Sequence, residues 1–474
     1  MIKRTKIVVT LGPSTESEDI ISSLIDLGVD VFRFNLSHGN HDYHSLLFDR
    51  VRKISSNKNK YVATLLDLSG PKIRIGEVKE PFAVAIGDEL VFKYGDFVGE
   101  KGVLSLKIQE VFDAVKEGEN IYLADGTIKL RVIKKLKDEF SVKVLTPGII
   151  SSKKGLNFPN SKLNIPALTD KDLKDIEFGV KKGFDLIALS FVKNKEDILN
   201  AKEILKRLNA DIPIFSKIEK FEAVENIDEI IEVSDGIMVA RGDLGIEIDM
   251  EKVPVVQKMI IRKANQAAKP VITATQMLTT MVKNSRPTRA EVSDIANAVL
   301  DGTDAVMLSD ETTVGEYPLE AVKVMIKTIV ETEKIYDFHR YYGYHIKGKI
   351  SSALAETAVR LSAELEADGI VVFTKSGASA RRVSRSKPKA PIYAVATEDE
   401  ILRRLAVSWG VIPYLKSQDT DDTDELLKEF LIKSKEDFGV DKIYIATIGH
   451  PAGIPGSTNV IRTIRKQDYE YFLK

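Results

Sequence analysis

A lysine and a glutamate two residues apart close one apolar stretch of this chain, Ile214-Phe215-Ser216-Lys217-Ile218-Glu219. Alternate side chains of a strand share a face, so an ammonium and a carboxylate would stand side by side there. The next apolar stretch runs into Arg241-Gly242-Asp243-Leu244-Gly245. Glycines on both sides of an aspartate let a ligand approach the backbone and leave N–H groups for an anion. Carboxylates from two adjacent strand ends, Glu219 and Asp243, suit a divalent ion that keeps water and substrate oxygens, Mg²⁺ or Mn²⁺. Arg33-Phe34-Asn35-Leu36-Ser37-His38-Gly39 sets a guanidinium, an amide and a hydroxyl on one face, and the arginine fork matches phosphate oxygens. His38, His41 and His44 lack the spacing of a zinc signature and are expected to be solvated or ligand-facing at a helix start. Thr273-Ala274-Thr275-Gln276 and Ser309-Asp310-Glu311 add hydroxyls and a carboxylate able to relay a proton to carbon. Asp67, with Lys72 and Arg74 behind it, closes a further apolar run. Singly, each pattern is equally an ion pair, a plain turn or a helix cap. Jointly they fit metal-assisted phosphoryl transfer, in which positioning and charge stabilisation carry the catalysis. Donor and acceptor do not follow from spacing.

The elements that must position these groups recur with a rhythm. Apolar runs at 7–10, 29–34, 62–68, 185–191, 212–218, 236–240, 270–274 and 304–308 alternate with amphipathic segments such as 195–208, 253–268 and 289–300. Eight strand–helix units predict an α/β fold, a parallel (β/α)8 barrel, with function at the C-terminal ends of its strands. From 70 to 166 the pattern turns β-like, with runs at 82–92, 120–123, 127–133 and 140–145. An all-β insert, a small β-barrel leaving after the third strand, would overhang that end as a lid. A polar, aromatic stretch at 336–344 reads as a linker. A smaller C-terminal α/β domain follows, with helices at 351–365, 380–385, 399–409 and 423–438 and strands at 369–374, 392–396 and 442–448. The expected domains are 1–69 with 167–340 (barrel), 70–166 (lid) and 345–474 (C-terminal).

Composition narrows the function classes. The 474 residues predict about three domains. Basic and acidic residues number 69 and 70, a balance unlike that of proteins that coat nucleic acid or an acidic membrane. Without cysteine there is no disulfide, thiolate metal site or cysteine nucleophile. No run reaches the ~18 apolar residues of a membrane span, and the start lacks the apolar core of a secretory signal. A soluble, cytoplasmic protein is expected.

Along essentially its whole length the sequence resembles the pyruvate kinase family. The resemblance rests on Thr5-Lys6-Ile7, Thr10-Leu11-Gly12-Pro13, 33–39, Asp67 with Gly70-Pro71-Lys72-Ile73-Arg74, 216–219 and 235–245. It continues through Ala274-Thr275-Gln276-Met277-Leu278, Arg286-Pro287-Thr288-Arg289-Ala290-Glu291 and Met307-Leu308-Ser309-Asp310-Glu311. It implies phosphoryl transfer from phosphoenolpyruvate to ADP in glycolysis, giving pyruvate and ATP. By the same resemblance Lys217 stabilises the phosphoryl group in flight, Arg33 holds the phosphate, and Glu219 and Asp243 hold Mg²⁺ or Mn²⁺. The N–H groups of Gly242 and Asp243 take the substrate carboxylate, and Thr275, Ser309 and Glu311 form the proton relay. Pro13, Asn35, Leu36, Ser37, His38, Tyr43, Arg74 and, from the lid, Lys154 would contact the nucleotide. Asn35, Ser37, Asp67 and Leu68 mark the position of a monovalent cation.

Two departures from the family pattern stand out. Ser309-Asp310-Glu311 replaces the usual Ser-Gly-Glu. Lys72 stands where potassium-dependent members have glutamate, and a lysine there accompanies independence from K⁺ in the family. A tethered ammonium supplies the positive charge that K⁺ would bring, so K⁺ is expected to be dispensable. In the C-terminal domain, Thr374, Lys375, Ser376, Gly377 and Ser379 lie between a strand and a helix and are expected to cradle a phosphorylated effector. Residues 449–457 would form its second wall. The family is typically tetrameric, which implies an allosteric homotetramer. Two other readings compete: an Mg-dependent 2-oxo-acid aldolase or lyase on a related barrel, and a catalytically silent metabolite sensor.

Overall fold

Eight short parallel strands close on themselves: β1 (Lys6–Thr10), β2 (Val31–Asn35), β3 (Ala63–Asp67), β4 (Leu186–Leu189), β5 (Ile214–Ile218), β6 (Gly236–Ala240), β7 (Val271–Ala274) and β8 (Ala305–Leu308). Their order around the barrel is β1-β8-β7-β6-β5-β4-β3-β2. The structure, a computed structural model, describes residues 3–338, 349–450 and 458–473. The strands are apolar on both faces because both are covered. One set of alternating residues, among them Ile7, Val9, Phe32, Phe34, Leu66, Ile187 and Ile214, packs in the cluster shared with the surrounding helices. The other set forms a separate cluster inside the barrel, with Val8, Val31, Ala63, Leu65, Leu186, Ala188, Phe215, Met238, Ile272 and Met307. Continuing that inner set by two residues per step reaches Arg33 and Asn35 from Val31, Asp67 from Leu65, Lys217 and Glu219 from Phe215, and Ser309 from Met307. The polar residues singled out above are therefore the top layer of the barrel interior.

Between β3 and β4 lies the inserted sheet domain. Its six-stranded sheet runs in the order Leu156–Asn157, Asn120–Leu123, Ile128–Lys135, Glu139–Val144, Glu89–Tyr94 and Val103–Leu106. A two-stranded ribbon, Phe82–Val84 with Gly148–Ile150, completes it. The apolar run at 82–92 makes two strands, because the chain turns at Gly87 (φ +95°) and Asp88 caps that turn by accepting from the Ala85 N–H at 2.9 Å. A core around Phe92, Phe112, Phe140 and Phe158 holds the insert together.

The C-terminal domain is a five-stranded sheet in the order Val411–Lys416, Ile392–Ala396, Gly369–Phe373, Tyr444–Gly449 and Thr458–Ile464, the last strand antiparallel. The helix predicted over 399–409 ends at Leu405, and the strand Val411–Lys416 follows it. That strand contains Pro413, which hides it from a sequence pattern but is tolerated at a sheet edge. Of the predicted linker, Tyr336 and Phe338 pack on the fully buried Trp409, and residues 339–344 lie outside the described residues. The domain docks on the N-terminal ends of the barrel strands: Lys6 Nζ donates to the Val411 carbonyl at 2.6 Å, and Asp304 accepts the Trp409 N–H at 3.0 Å. Asp185 pairs with Arg403 at 2.8 Å. The C-terminal strand ends, with the polar layer, are left facing the insert.

Candidate active site

Asp67 is the centre of the polar layer. It is 1% exposed, and its Oδ2 accepts from Arg33 Nε at 2.6 Å while Arg33 NH2 lies at the same distance. Its Oδ1 faces Lys217 Nζ at 3.3 Å. Burial alone would raise this carboxyl, but Lys217 and Arg33 outweigh burial and hold it below the ordinary range. Arg33 is steadied further by donating from NH1 to Thr10 Oγ1 at 2.9 Å. Lys217 donates to Ser190 Oγ at 2.7 Å and pairs with Glu219 at 3.5 Å. Burial works against its charge, yet Asp67 and Glu219 prevail and keep the ammonium protonated above its ordinary range. The predicted strand face of Lys217 and Glu219 is thus one arm of a four-residue buried ion cluster.

Glu219 is 1% exposed and accepts the Phe191 N–H on Oε1 at 2.6 Å, while its Oε2 has no hydrogen-bond donor. Burial, aided by the negative charges of Asp243 and Asp67, pushes its carboxyl up to about 7. Three carboxylates, Asp67, Glu219 and Asp243, thus face two cations, Arg33 and Lys217. Among the described residues no three metal-ligating side chains cluster, so a bound ion would draw its other ligands from water and substrate. Two carboxylates, one with an orphaned oxygen, fit Mg²⁺ or Mn²⁺ on those terms.

Asp243 stands in the first turn of the short helix Arg241–Glu247. The Gly242 N–H is not free: it donates to Thr275 Oγ1 at 2.8 Å, and that hydroxyl donates to the Ala274 carbonyl at 2.7 Å. Arg241, buried below, donates to the Thr275 carbonyl at 2.6 Å and pairs with Asp294 at 2.7 Å, so it clamps β6 to β7. Thr275 and Gln276 sit at φ +68° and +56°, a strained conformation for non-glycine residues that turns the Thr275 hydroxyl into the site. Glu311 is buried and accepts the Leu278 N–H at 2.9 Å and the Ser309 N–H at 2.8 Å. Burial raises its carboxyl. Both its oxygens are committed to backbone, so it fixes the turns that carry Thr275 and Ser309. The Ser309 hydroxyl is buried without a partner.

Two cavities open from this floor. One, of about 840 Å³, is lined by Pro13, Arg33, Asn35, Tyr43, Thr275 and Ser309, among others. The second, of about 470 Å³, lies between barrel and insert, with Lys72, Arg74, Lys154, Phe191, Asp243 and Glu247 on its walls. His38 borders both. The insert reaches the barrel through Asn157 Nδ2, which donates to Glu247 Oε1 at 3.2 Å. Lys72 is exposed, and among the described residues its ammonium has no hydrogen-bond or ion-pair partner. Asn35 Oδ1 accepts the Ser37 N–H at 3.1 Å, and the Leu68 carbonyl accepts from Ser190 Oγ at 2.7 Å. Leu36 is buried, and its carbonyl accepts from Lys171 Nζ at 2.7 Å.

Of the three histidines, His44 is not solvated: it is 3% exposed, its Nε2 bonds the His38 carbonyl at 2.7 Å, burial lowers its pKa, and it borders the larger cavity. Three neighbours of the site were not foreseen, Ser190, Phe191 and Lys171. The first carries a lone hydroxyl, the second contributes only its backbone at φ +55°, and the third is one lysine among many on an amphipathic helix.

In the C-terminal loop, Thr374 Oγ1 accepts the Gly377 N–H at 3.0 Å, Lys375 pairs with Asp419 at 3.4 Å, and Ser379 bonds Thr458 at 2.6 Å. Of the expected second wall, 451–457 lie outside the described residues.

Comparison with known proteins agrees with this arrangement. The family description "Pyruvate kinase, barrel domain" matches residues 2–322, and "Pyruvate kinase, alpha/beta domain" matches 352–464. The chain is 42% identical to a pyruvate kinase of Staphylococcus epidermidis over 469 residues, 97% of this chain and 80% of that protein. It is also 42% identical to one of Staphylococcus aureus over 473 residues, with the same coverages. A crystal structure of a pyruvate kinase from Cryptosporidium parvum superposes with a TM-score of 0.92 at 35% identity, covering 98% of this chain and 96% of that one. Neither the lyase nor the silent-sensor reading finds support among these relatives. The barrel, the insert, the C-terminal sheet and the sequence itself agree: this chain belongs to the pyruvate kinase family of phosphotransferases.

Proposed function

We propose that this chain transfers the phosphoryl group of phosphoenolpyruvate to ADP in glycolysis, giving pyruvate and ATP, and that it does so without K⁺. The observation that carries the reaction is the buried cluster Arg33–Asp67–Lys217–Glu219 at the mouth of the barrel. Arg33 holds the substrate phosphate. As the enol-oxygen–phosphorus bond breaks and a bond to the β-phosphate oxygen of ADP forms, charge spreads over the phosphoryl oxygens, and Lys217 stabilises it. Glu219 and Asp243 would hold Mg²⁺ or Mn²⁺, which would supply positive charge against the phosphate. The Gly242 and Asp243 turn receives the substrate carboxylate. The enolate carbon takes a proton through the Thr275 and Ser309 hydroxyls and water, and Glu311 holds both turns in place. ADP would contact Pro13, Asn35, Leu36, Ser37, His38 and Tyr43, with Arg74 and Lys154 approaching from the insert.

Independence from K⁺ is supported by the ammonium of Lys72, which has no partner among the described residues and lines the cleft with His38, Phe191 and Asp243. The units proposed are 1–69 with 167–340, 70–166 and 345–474. A phosphorylated effector at 374–379, a homotetrameric assembly and a cytoplasmic location complete the reading. Among the described residues no helix is long and apolar enough to cross a membrane. The test is pyruvate formation from phosphoenolpyruvate, ADP and Mg²⁺ in buffer free of sodium and potassium, then with KCl, beside Lys217→Met. Full activity without K⁺, lost in the variant, supports both parts. Activity only with KCl retains the reaction and overturns the role of Lys72. No activity in either buffer overturns the reaction.

A further inference from the structure

At the opposite end of the barrel, where the C-terminal domain docks, a cavity of about 420 Å³ lies between Pro213, Asp235 and Pro270 on the barrel side and the helix Ala378–Arg385 on the other. Its walls carry Lys269, Lys349, Arg381, Arg382, Arg385 and Arg404. Among the described residues only two carboxylates, Asp211 and Asp235, line it, and Asp235 is already engaged by Lys202 at 3.0 Å and by the Ile214 N–H at 3.0 Å.

The basic residues are only partly engaged: Arg404 pairs with Glu400 and donates to the Asp211 carbonyl, and Lys269 donates to the Ser234 carbonyl. Arg385 is 3% exposed, and one nitrogen, NH2, donates to Ser352 Oγ at 2.9 Å. Among the described residues its Nε and NH1 are buried without an acceptor, as are Arg382 NH1 and Arg404 Nε. Arg381 makes no ion pair among the described residues, and burial lowers its pKa, with Asp235 the only carboxylate acting against that. Buried guanidinium N–H groups without acceptors are rare in folded proteins and call for a partner. Six basic side chains around one inter-domain cleft, against two carboxylates among the described residues, suit a compact multiply charged anion. Phosphate oxygens accept from guanidinium forks in pairs. A volume of about 420 Å³ is in the range of small-molecule sites.

We propose that this inter-domain cavity binds a phosphate monoester, held by Arg382, Arg385 and Lys269 between the barrel and the C-terminal domain. It is separate from the loop at 374–379 as read above, because Ser379 turns to Thr458 of the C-terminal sheet. The two adjoin, since Ser376 and Ala378 border the cavity. It is also remote from the reaction: Pro213 opens the strand whose other end carries Lys217. An anion here would tie the two domains together and act as a ligand of the folded state. The proposal does not depend on which phosphoryl reaction the barrel mouth performs.

The test is titration calorimetry on the full chain, with inorganic phosphate and, separately, phosphate monoesters of three-carbon and six-carbon sugars. The background carries Arg33→Gln, Thr374→Val and Ser379→Ala, which disables the barrel mouth and the effector loop. One site per chain is expected to remain, and Arg382→Gln or Arg385→Gln should weaken it at least tenfold. Arg382 is half-buried and its replacement spares the core, so it decides the matter if Arg385→Gln fails to fold. Binding of inorganic phosphate as tight as that of the esters would identify the free anion as the ligand; tighter esters would identify a sugar phosphate. Absence of the site in that background, or unchanged affinity in both arginine variants, overturns the proposal.

Discussion

Replacing Asp67 by asparagine tests whether one buried carboxylate organises the whole floor of the site. Asparagine keeps the shape and one acceptor but turns an NH₂ group toward a cation. In the wild type the carboxylate answers Arg33 at 2.6 Å and Lys217 at 3.3 Å. At an effective dielectric of about 20, a unit pair at the second distance attracts by about 5 kcal/mol. Desolvation offsets part of this, and loss of one member of a buried pair costs about 3–5 kcal/mol in stability. For a domain of the barrel's size that lowers the melting transition by about 10 °C. Activity should fall as well, since Arg33 and Lys217 both lose a positioning contact; a displacement near 1 Å costs about 10²-fold in rate. The sign of the pH dependence follows from the depressed carboxyl. Its contribution is complete above the ordinary value of 3.8 and is lost as the pH falls from there through the lowered one. The stability gap between wild type and variant should therefore be constant at neutral pH and close only in strong acid. Calorimetric melting from pH 8 down to pH 3 measures the gap, and a coupled pyruvate assay in K⁺-free buffer measures the rate. An Asp67→Asn enzyme that melts within 2 °C of wild type at pH 7 and retains its rate would refute the reasoning.

Thr275→Ala removes the acceptor of the Gly242 N–H and the hydroxyl of the relay; kcat should drop by about 10²–10⁴, while Thr275→Ser keeps most of it, with deuterium entry into pyruvate in D₂O reading the proton step by itself. Gly70→Ala forces a side chain into φ +64° and sets its Cβ 2.5 Å from the Phe191 ring, which pulls the Phe191 N–H from Glu219; the Mg²⁺ concentration for half-maximal rate should rise about tenfold with the fold intact by circular dichroism. In Glu311→Gln only one amide oxygen can accept where two backbone N–H groups donate, so about 1–3 kcal/mol of stability is lost at pH 5. Because burial raises the Glu311 carboxyl, the wild type loses stability as pH rises from 4.5 through that raised value; the glutamine variant should lack this limb in a pH series of melts.

Where the sequence could be read, a strict periodicity made it legible. Period-two alternation set Arg33 beside Asn35 and Lys217 beside Glu219, and in the barrel these continue the inward-facing Val31 and Phe215, as Asp67 continues Leu65. Eight such runs made the barrel countable, and the β-like insert stood out as a change of period. The chain was opaque where it leaves regular geometry. Phe191, Thr275 and Gln276 act through backbone angles of φ +55°, +68° and +56°, which no side-chain pattern announces. Pro413 concealed an edge strand. The role of Glu311 shows the same limit from the other side. Its residue type suggested a proton donor or acceptor, but its partners, the Leu278 and Ser309 N–H groups, are set by two turns converging in space. With both oxygens on backbone N–H groups, Glu311 is placed to hold the turns. In the relay proposed above, the hydroxyls of Thr275 and Ser309 pass a proton and recover it from water, and the glutamate's work is to keep them aimed.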